Sequence, residues 1–186
     1  MAGSEAQDLW NTKLEPPVLQ ILTGSEPITY ATHTAVYSAG YNYILAGKGN
    51  NNNCRDLYAS VKLFFSDYTQ RISAKASSDD SSLPAYYDAE WDRFSRGVEI
   101  VNRLLDYLNR HYVNRERDEG KKAIITVRNL AFVSWKTNVF ESLLPRLENT
   151  EEADKTQLET IRQCFASEEL KADSIKNMHV QAAHAS

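Results

Sequence analysis

Residues 84–116 read PAYYDAEWDRFSRGVEIVNRLLDYLNRHYVNRE. Within them Trp91, Phe94, Val98, Val101, Leu104, Leu105, Leu108 and Tyr112 recur every three or four positions, and after Pro84 no proline falls before Pro145. Apolar residues at that interval share one face of a 3.6-residue helix, which predicts a spine roughly 50 Å long at ~1.5 Å per residue. Gly97 lies inside the spine. A mid-helix glycine costs about 1 kcal/mol relative to alanine, so its presence predicts close approach of a neighbouring helix at that level.

The same period extends in both directions. Upstream, Leu57, Val61, Phe64, Phe65, Tyr68 and Ile72 predict a helix that packs along one side. It reaches the spine through the Ser- and Asp-rich stretch from Lys75 to Ser82, with Ser82 and Pro84 set as N-cap and early-turn proline. Another helix should open at Thr29 or Tyr30 and close after Ala46, where Gly47, Gly49 and the Asn50–Asn53 run form a surface loop. The first helical stripe, from Leu9 to Leu22, contains Pro16 and Pro17, which predicts a bent or two-piece helix ending near Gly24. Downstream, Asp118-Glu119-Gly120 breaks the spine, and a fifth stripe runs from Ile124 through Trp135 and Phe140 toward Pro145. Past Leu147 the chain turns acidic and then weakly amphipathic, and Met178 to Ser186 should fray. No repeat of 20 to 50 residues is convincing, which argues against a self-contained solenoid.

In 186 residues there is room for one ordinary domain and a tail. Few glycines (7) and prolines (5) favour an all-helical fold over a turn-rich β-sandwich. A formal charge of -4 argues against a general nucleic-acid binder, which needs excess Lys and Arg. Two cysteines, Cys54 and Cys164, are too few and too far apart in sequence for a disulfide framework or a four-ligand zinc site and suit a reducing compartment. Met1 to Trp10 has no apolar run of the secretory kind, and no stretch approaches the ~20 apolar residues of a membrane span. The expectation is a soluble protein of cytoplasm and nucleus.

Chemistry-bearing motifs are weak. Gly47-Lys48-Gly49 lacks the spacing of a phosphate-cradling loop, and His179 and His184, five apart, lack the metal-binding helix of a zinc hydrolase. No catalytic, cofactor or metal residues are predicted. Between Arg110 and Lys122, five cations face three carboxylates. Mixed signs fit a salt-bridged helix end better than a phosphate contact, although anion or nucleic-acid binding stays as an alternative. On the second helix Tyr37 and Tyr41 form a face that His33 extends by a turn, while Val36, Gly40, Tyr43 and Ile44 offer another face to the core. Periodicity leaves open whether the tyrosines point outward or inward.

The run from Tyr107 to Lys122 (YLNRHYVNRERDEGKK), followed by Leu130 to Lys136 (LAFVSWK) and Val139-Phe140, resembles the amino-terminal region of cullins, the class that scaffolds F-box ubiquitin ligases. Trp10 and the Tyr37 to Tyr43 stretch sit consistently with it. That resemblance implies an all-α, elongated five-helix cullin repeat with a long central helix over residues 1–147, ahead of an acidic, partly helical or disordered tail over 148–186. It implies a non-catalytic scaffold whose second and fifth helices dock an SKP-type adaptor of BTB fold, which in turn holds an F-box protein. The aromatic docking positions fall on Tyr37 and Tyr41. His33 stands where the family usually has another aromatic residue, and Thr34 where it has a bulky apolar one. On the other contact surface Tyr112 takes the aromatic position, with Arg115 and Glu116 as a polar rim. The parts of a cullin that recruit a RING subunit have no counterpart here, so the chain reads either as an amino-terminal fragment or as a short natural form that sequesters adaptor.

Overall fold

The computed structural model describes residues 2–24, 27–47, 52–76 and 79–149, together with Glu159, Arg162, Gln163 and Phe165. Among the described residues every regular element is helical and no strand occurs. Among the described residues, nine α-helices and three π-helical turns form five rods. The first holds α1 (Ala2–Leu9), a π-helical turn (Trp10–Leu14) and α2 (Glu15–Thr23). The second is α3 (Tyr30–Ala46) and the third α4 (Asn52–Lys75). The fourth runs through α5 (Leu83–Leu104), α6 (Asp106–Leu108), a π-helical turn (Asn109–Val113) and α7 (Asn114–Asp118). The fifth holds α8 (Val127–Trp135), a π-helical turn (Lys136–Phe140) and α9 (Glu141–Glu148). No described helix is long and apolar enough to cross a membrane.

Local chemistry explains most boundaries. Pro16 and Pro17 lack N–H groups, and the backbone widens into its π-helical turn just before them, so the first rod is in pieces as the prolines predict. It stops at Gly24, whose left-handed φ of 63° suits a residue without Cβ, with its N–H donating to the carbonyls of Gln20 and Ile21. Thr29 caps α3, its hydroxyl accepting from the Thr32 N–H at 3.1 Å, and Thr126 does the same for α8 from Asn129.

Three boundaries differ from expectation. The spine is not one uninterrupted helix: it breaks at Leu105, where φ is −101° and ψ 20°, and widens again at Asn109–Val113. The fifth rod starts at Val127 instead of Ile124, because the preceding segment serves the third rod instead. There the Tyr58 hydroxyl donates to the Ile125 carbonyl at 2.8 Å and accepts from the Ile125 N–H at 3.2 Å. Pro145 does not end the fifth rod, which continues to Glu148.

The core is aromatic. Phe94 lies 4.7 Å from Trp135 between ring centroids, Trp91 and Phe132 flank them, and the Trp135 indole N–H donates to the Tyr87 hydroxyl at 3.3 Å. Gly97 meets the second helical piece as predicted. A Cβ there would lie 3.0 Å from a Leu22 methyl and 3.3 Å from the Ile21 carbonyl oxygen. Most of 148–186 lies outside the described residues. Phe165, however, is buried, its ring edge-on to Trp91 at 5.7 Å and to Phe140 at 5.3 Å, and Arg162 pairs with Glu148 and Glu159.

Candidate docking surface

None of the seventeen residues of α3 is charged at neutral pH in the sense of Asp, Glu, Lys or Arg, yet only Val36, Gly40 and Ile44 are buried. Those three lie on the face that periodicity offers to the core. Large apolar groups remain outside: Tyr30 is 86% exposed and Leu45 55%. The free face of α3 is thus uncharged, whereas solvated helices ordinarily carry charge there.

Tyr37 and Tyr41 resolve into an intermediate position. Each is half-buried, packed on the core along one side and open along the other. Their rings stack at 6.0 Å with 16° between planes. Tyr107, from α6, supports Tyr37 edge-on at 5.5 Å, and His111 supports Tyr41 at 5.9 Å. The pair therefore stands on the fourth rod as a preset aromatic shelf, with χ freedom already restricted. His33 is half-buried one turn upstream, and Thr34 is exposed.

Gly40 sets how closely the shelf sits. A Cβ on Gly40 would fall 2.0 Å from the Tyr107 hydroxyl oxygen and 2.4 Å from Cζ, so only a bare Cα lets α3 lie over that ring. The Tyr107 hydroxyl is buried without a hydrogen-bond partner, and burial pushes its pKa up, so it stays protonated.

The remaining sequence-predicted residues divide. Arg115 is exposed and pairs with Glu119 at 3.3 Å. Tyr112 is only 4% exposed, its ring 5.2 Å from Tyr58, and burial raises its pKa. Glu116 is 6% exposed, with Lys121 donating to its carboxylate at 2.7 Å. Neither stands on the surface as an anchor or a rim: the π-helical turn at Asn109–Val113 directs this stretch against the third rod, so both are interior residues in the free chain. Tyr107, fully buried, and His111, exposed, support the Tyr37–Tyr41 pair instead, a role that sequence reasoning did not assign to them. Their interval of four is the helical signal that places them under Tyr37 and Tyr41.

The basic stretch is largely neutralised in place. Arg110 pairs with Asp106, Arg115 with Glu119, and Lys121 with Glu116 and Glu119. Among the described residues no group of three or more His, Cys, Asp or Glu side chains could hold a metal ion.

The family model of the cullin alpha solenoid domain matches residues 11–182. The chain belongs to the cullin family. It is 28% identical to Cullin-1 of Dictyostelium discoideum over 160 residues, covering 77% of this chain and 21% of that protein. It is 35% identical to Cullin-1 of Caenorhabditis elegans over 89 residues, 47% of this chain and 11% of that protein. Cell division control protein 53 of Saccharomyces cerevisiae is 27% identical over 165 residues, 75% of this chain and 20% of that one. The chain thus spans about a fifth of the length of the Dictyostelium and Saccharomyces proteins.

Proposed function

We propose that this chain is an adaptor-docking region of a cullin scaffold for a ubiquitin ligase, working without catalysis of its own in cytoplasm and nucleus. Its partner is an SKP-type adaptor of BTB fold, which carries an F-box substrate receptor. One observation carries this reading: α3 has no Asp, Glu, Lys or Arg, leaves most of its length uncovered, and presents the stacked Tyr37–Tyr41 pair on a rigid support. Tyrosine at such a position gives a large contact area for little loss of rotamer entropy. His33 and Thr34 lie on the approach to the pair, and Arg115 supplies an exposed cation at the far end of the fourth rod. Family membership and the similarity to Cullin-1 proteins support the scaffold assignment.

A standard interface buries on the order of 1,600 Å² in total, and anchoring aromatics contribute about 2 kcal/mol or more on truncation. Calorimetric titration of a purified SKP-type adaptor into this chain should give a saturable isotherm. The double variant Tyr37→Ala/Tyr41→Ala should weaken it by more than about thirtyfold. Equal affinity of wild type and double variant would reject these anchors.

A further inference from the structure

Where α2, α4 and α5 converge they leave a groove of about 390 Å³ that no residue of α3 lines. Three cations border it, Arg71 and Lys75 on α4 and Arg93 on α5. The lining holds one carboxylate, Glu90, and Arg93 already pairs with it. Leu19 and Tyr86, each half-buried, supply accessible apolar surface beside the cations.

Arg71 and Lys75 are the unusual members. Both are exposed, they stand four apart on one face of α4, and among the described residues neither forms an ion pair. Like charges at that interval destabilise a helix. The carbonyl end of α4 attracts Lys75, its last residue, but such end effects fade within a turn and leave Arg71 uncompensated. On its other side Arg71 borders Asp67 and Glu15 across a neighbouring groove, without an ion pair to either. With Glu90 held by Arg93, the groove keeps an excess of two positive charges in a chain whose formal net charge is -4.

We propose that this groove is a separate docking site, which takes a phosphorylated serine in a peptide segment of a partner protein, the phosphate set between Arg71 and Lys75 and an apolar neighbour laid on Leu19 and Tyr86. Charge complementarity selects this occupant. A phosphate monoester carries about two negative charges near neutral pH and three acceptor oxygens, so one group can meet both unpaired cations, whereas a single carboxylate matches only one. The planar fork of arginine suits two-point contact with phosphate, and a lysine ammonium adds a point charge beside it. The chain's own Glu148 and Glu159 are taken by Arg162. The site is independent of the adaptor reading, because neither Tyr37 nor Tyr41 lines it.

The test is fluorescence anisotropy with a labelled short peptide carrying one phosphoserine flanked by leucines, beside the same peptide with serine and with glutamate at that position. The full chain should bind the phosphorylated probe about tenfold or more tightly than either control. Arg71→Gln/Lys75→Gln, both changes at exposed positions, should weaken that binding about tenfold or more while retaining the wild-type thermal melt. Glu90→Gln releases the Arg93 guanidinium toward the groove and should tighten binding severalfold. Tyr37→Ala/Tyr41→Ala should leave it unchanged. Equal binding of the three peptides, wild-type affinity in Arg71→Gln/Lys75→Gln, or weaker binding in Glu90→Gln overturns the proposal. So does displacement of the probe by inorganic phosphate as readily as by unlabelled phosphopeptide, which would make free phosphate the ligand. Loss of binding in the tyrosine double variant overturns it as well, since the peptide would then sit on α3.

Discussion

At Gly40 a single missing methyl group sets the position of a whole helix. Periodicity alone puts Gly40 on the core face of α3 beside Val36 and Ile44, and the structure keeps it there. What the sequence could not disclose is the opposing group, since Tyr107 lies 67 positions away and only the folded chain brings its hydroxyl under the glycine. Gly40→Ala must therefore either push α3 outward or tilt the Tyr107 ring, and overpacking of this sort costs about 1–3 kcal/mol. Urea denaturation should show that loss, and adaptor affinity should fall further than stability does because Tyr37 rests on the same ring. Tyr107→Phe separates packing from polarity. It keeps the edge contact to Tyr37 but removes a buried hydroxyl that has no partner, so it should be neutral or stabilising by up to about 1 kcal/mol. A marked destabilisation in Tyr107→Phe would mean that the hydroxyl is bonded in solution.

Between elements, two asparagines do what backbone alone cannot. The start of α8 needs acceptors for its first N–H groups. Asn109 Oδ1 accepts from the Val127 N–H at 2.9 Å, and Asn102 Oδ1 accepts from the Arg128 N–H at 3.1 Å. The Asn109 amide then donates to Asn102 Oδ1 at 2.9 Å. Glu99 adds an ion pair to Arg128 at 2.6 Å. The break at Leu105 and the wider turn from Asn109 are the local backbone changes that accompany this link between the fourth and fifth rods. Asn109→Leu has nearly the same volume but leaves the Val127 N–H buried and unpaired, and should cost about 2–3 kcal/mol in thermal or urea unfolding. Loss of less than half a kilocalorie would mean that water replaces the amide. This network also marks the limit of sequence reading at the element scale. The apolar intervals located all five rods, the Pro16–Pro17 disturbance and the Gly24 and Gly47 stops, because those signals are local. The Leu105 break and the late start at Val127 go with partners far along the chain and leave no local mark. Tyr112 shows the same division: its helical interval put it in the core stripe, and that is where it lies, whereas the family resemblance put it on the docking surface.

For the whole molecule, the question is where the cooperative unit ends. A boundary after residue 147 follows from the composition shift toward acid, but composition registers average polarity and not the fate of one ring. Phe165 is 3% exposed, and its contacts reach both the fourth rod, at Trp91, and the fifth, at Phe140. Trp91 in turn touches Phe132 and Trp135, so the ring is joined to the aromatic core that holds α5 against α8. The family match likewise extends past this point, to residue 182. If Phe165 belongs to the same cooperative unit as the rods, Phe165→Ala removes a core side chain and should cost about 3 kcal/mol, with Trp91 fluorescence shifting red as water reaches it. If the segment instead detaches and rejoins on its own, the loss is capped by its small local docking energy, and the urea midpoint stays where it was. The ion pairs from Arg162 to Glu148 and Glu159 are too exposed to decide between these, since such surface pairs contribute at most about 1 kcal/mol. The burial of the ring favours the first outcome: Phe165 is covered by two separate rods, and its departure would expose both, so the loss of its contacts and the melting of the bundle should coincide.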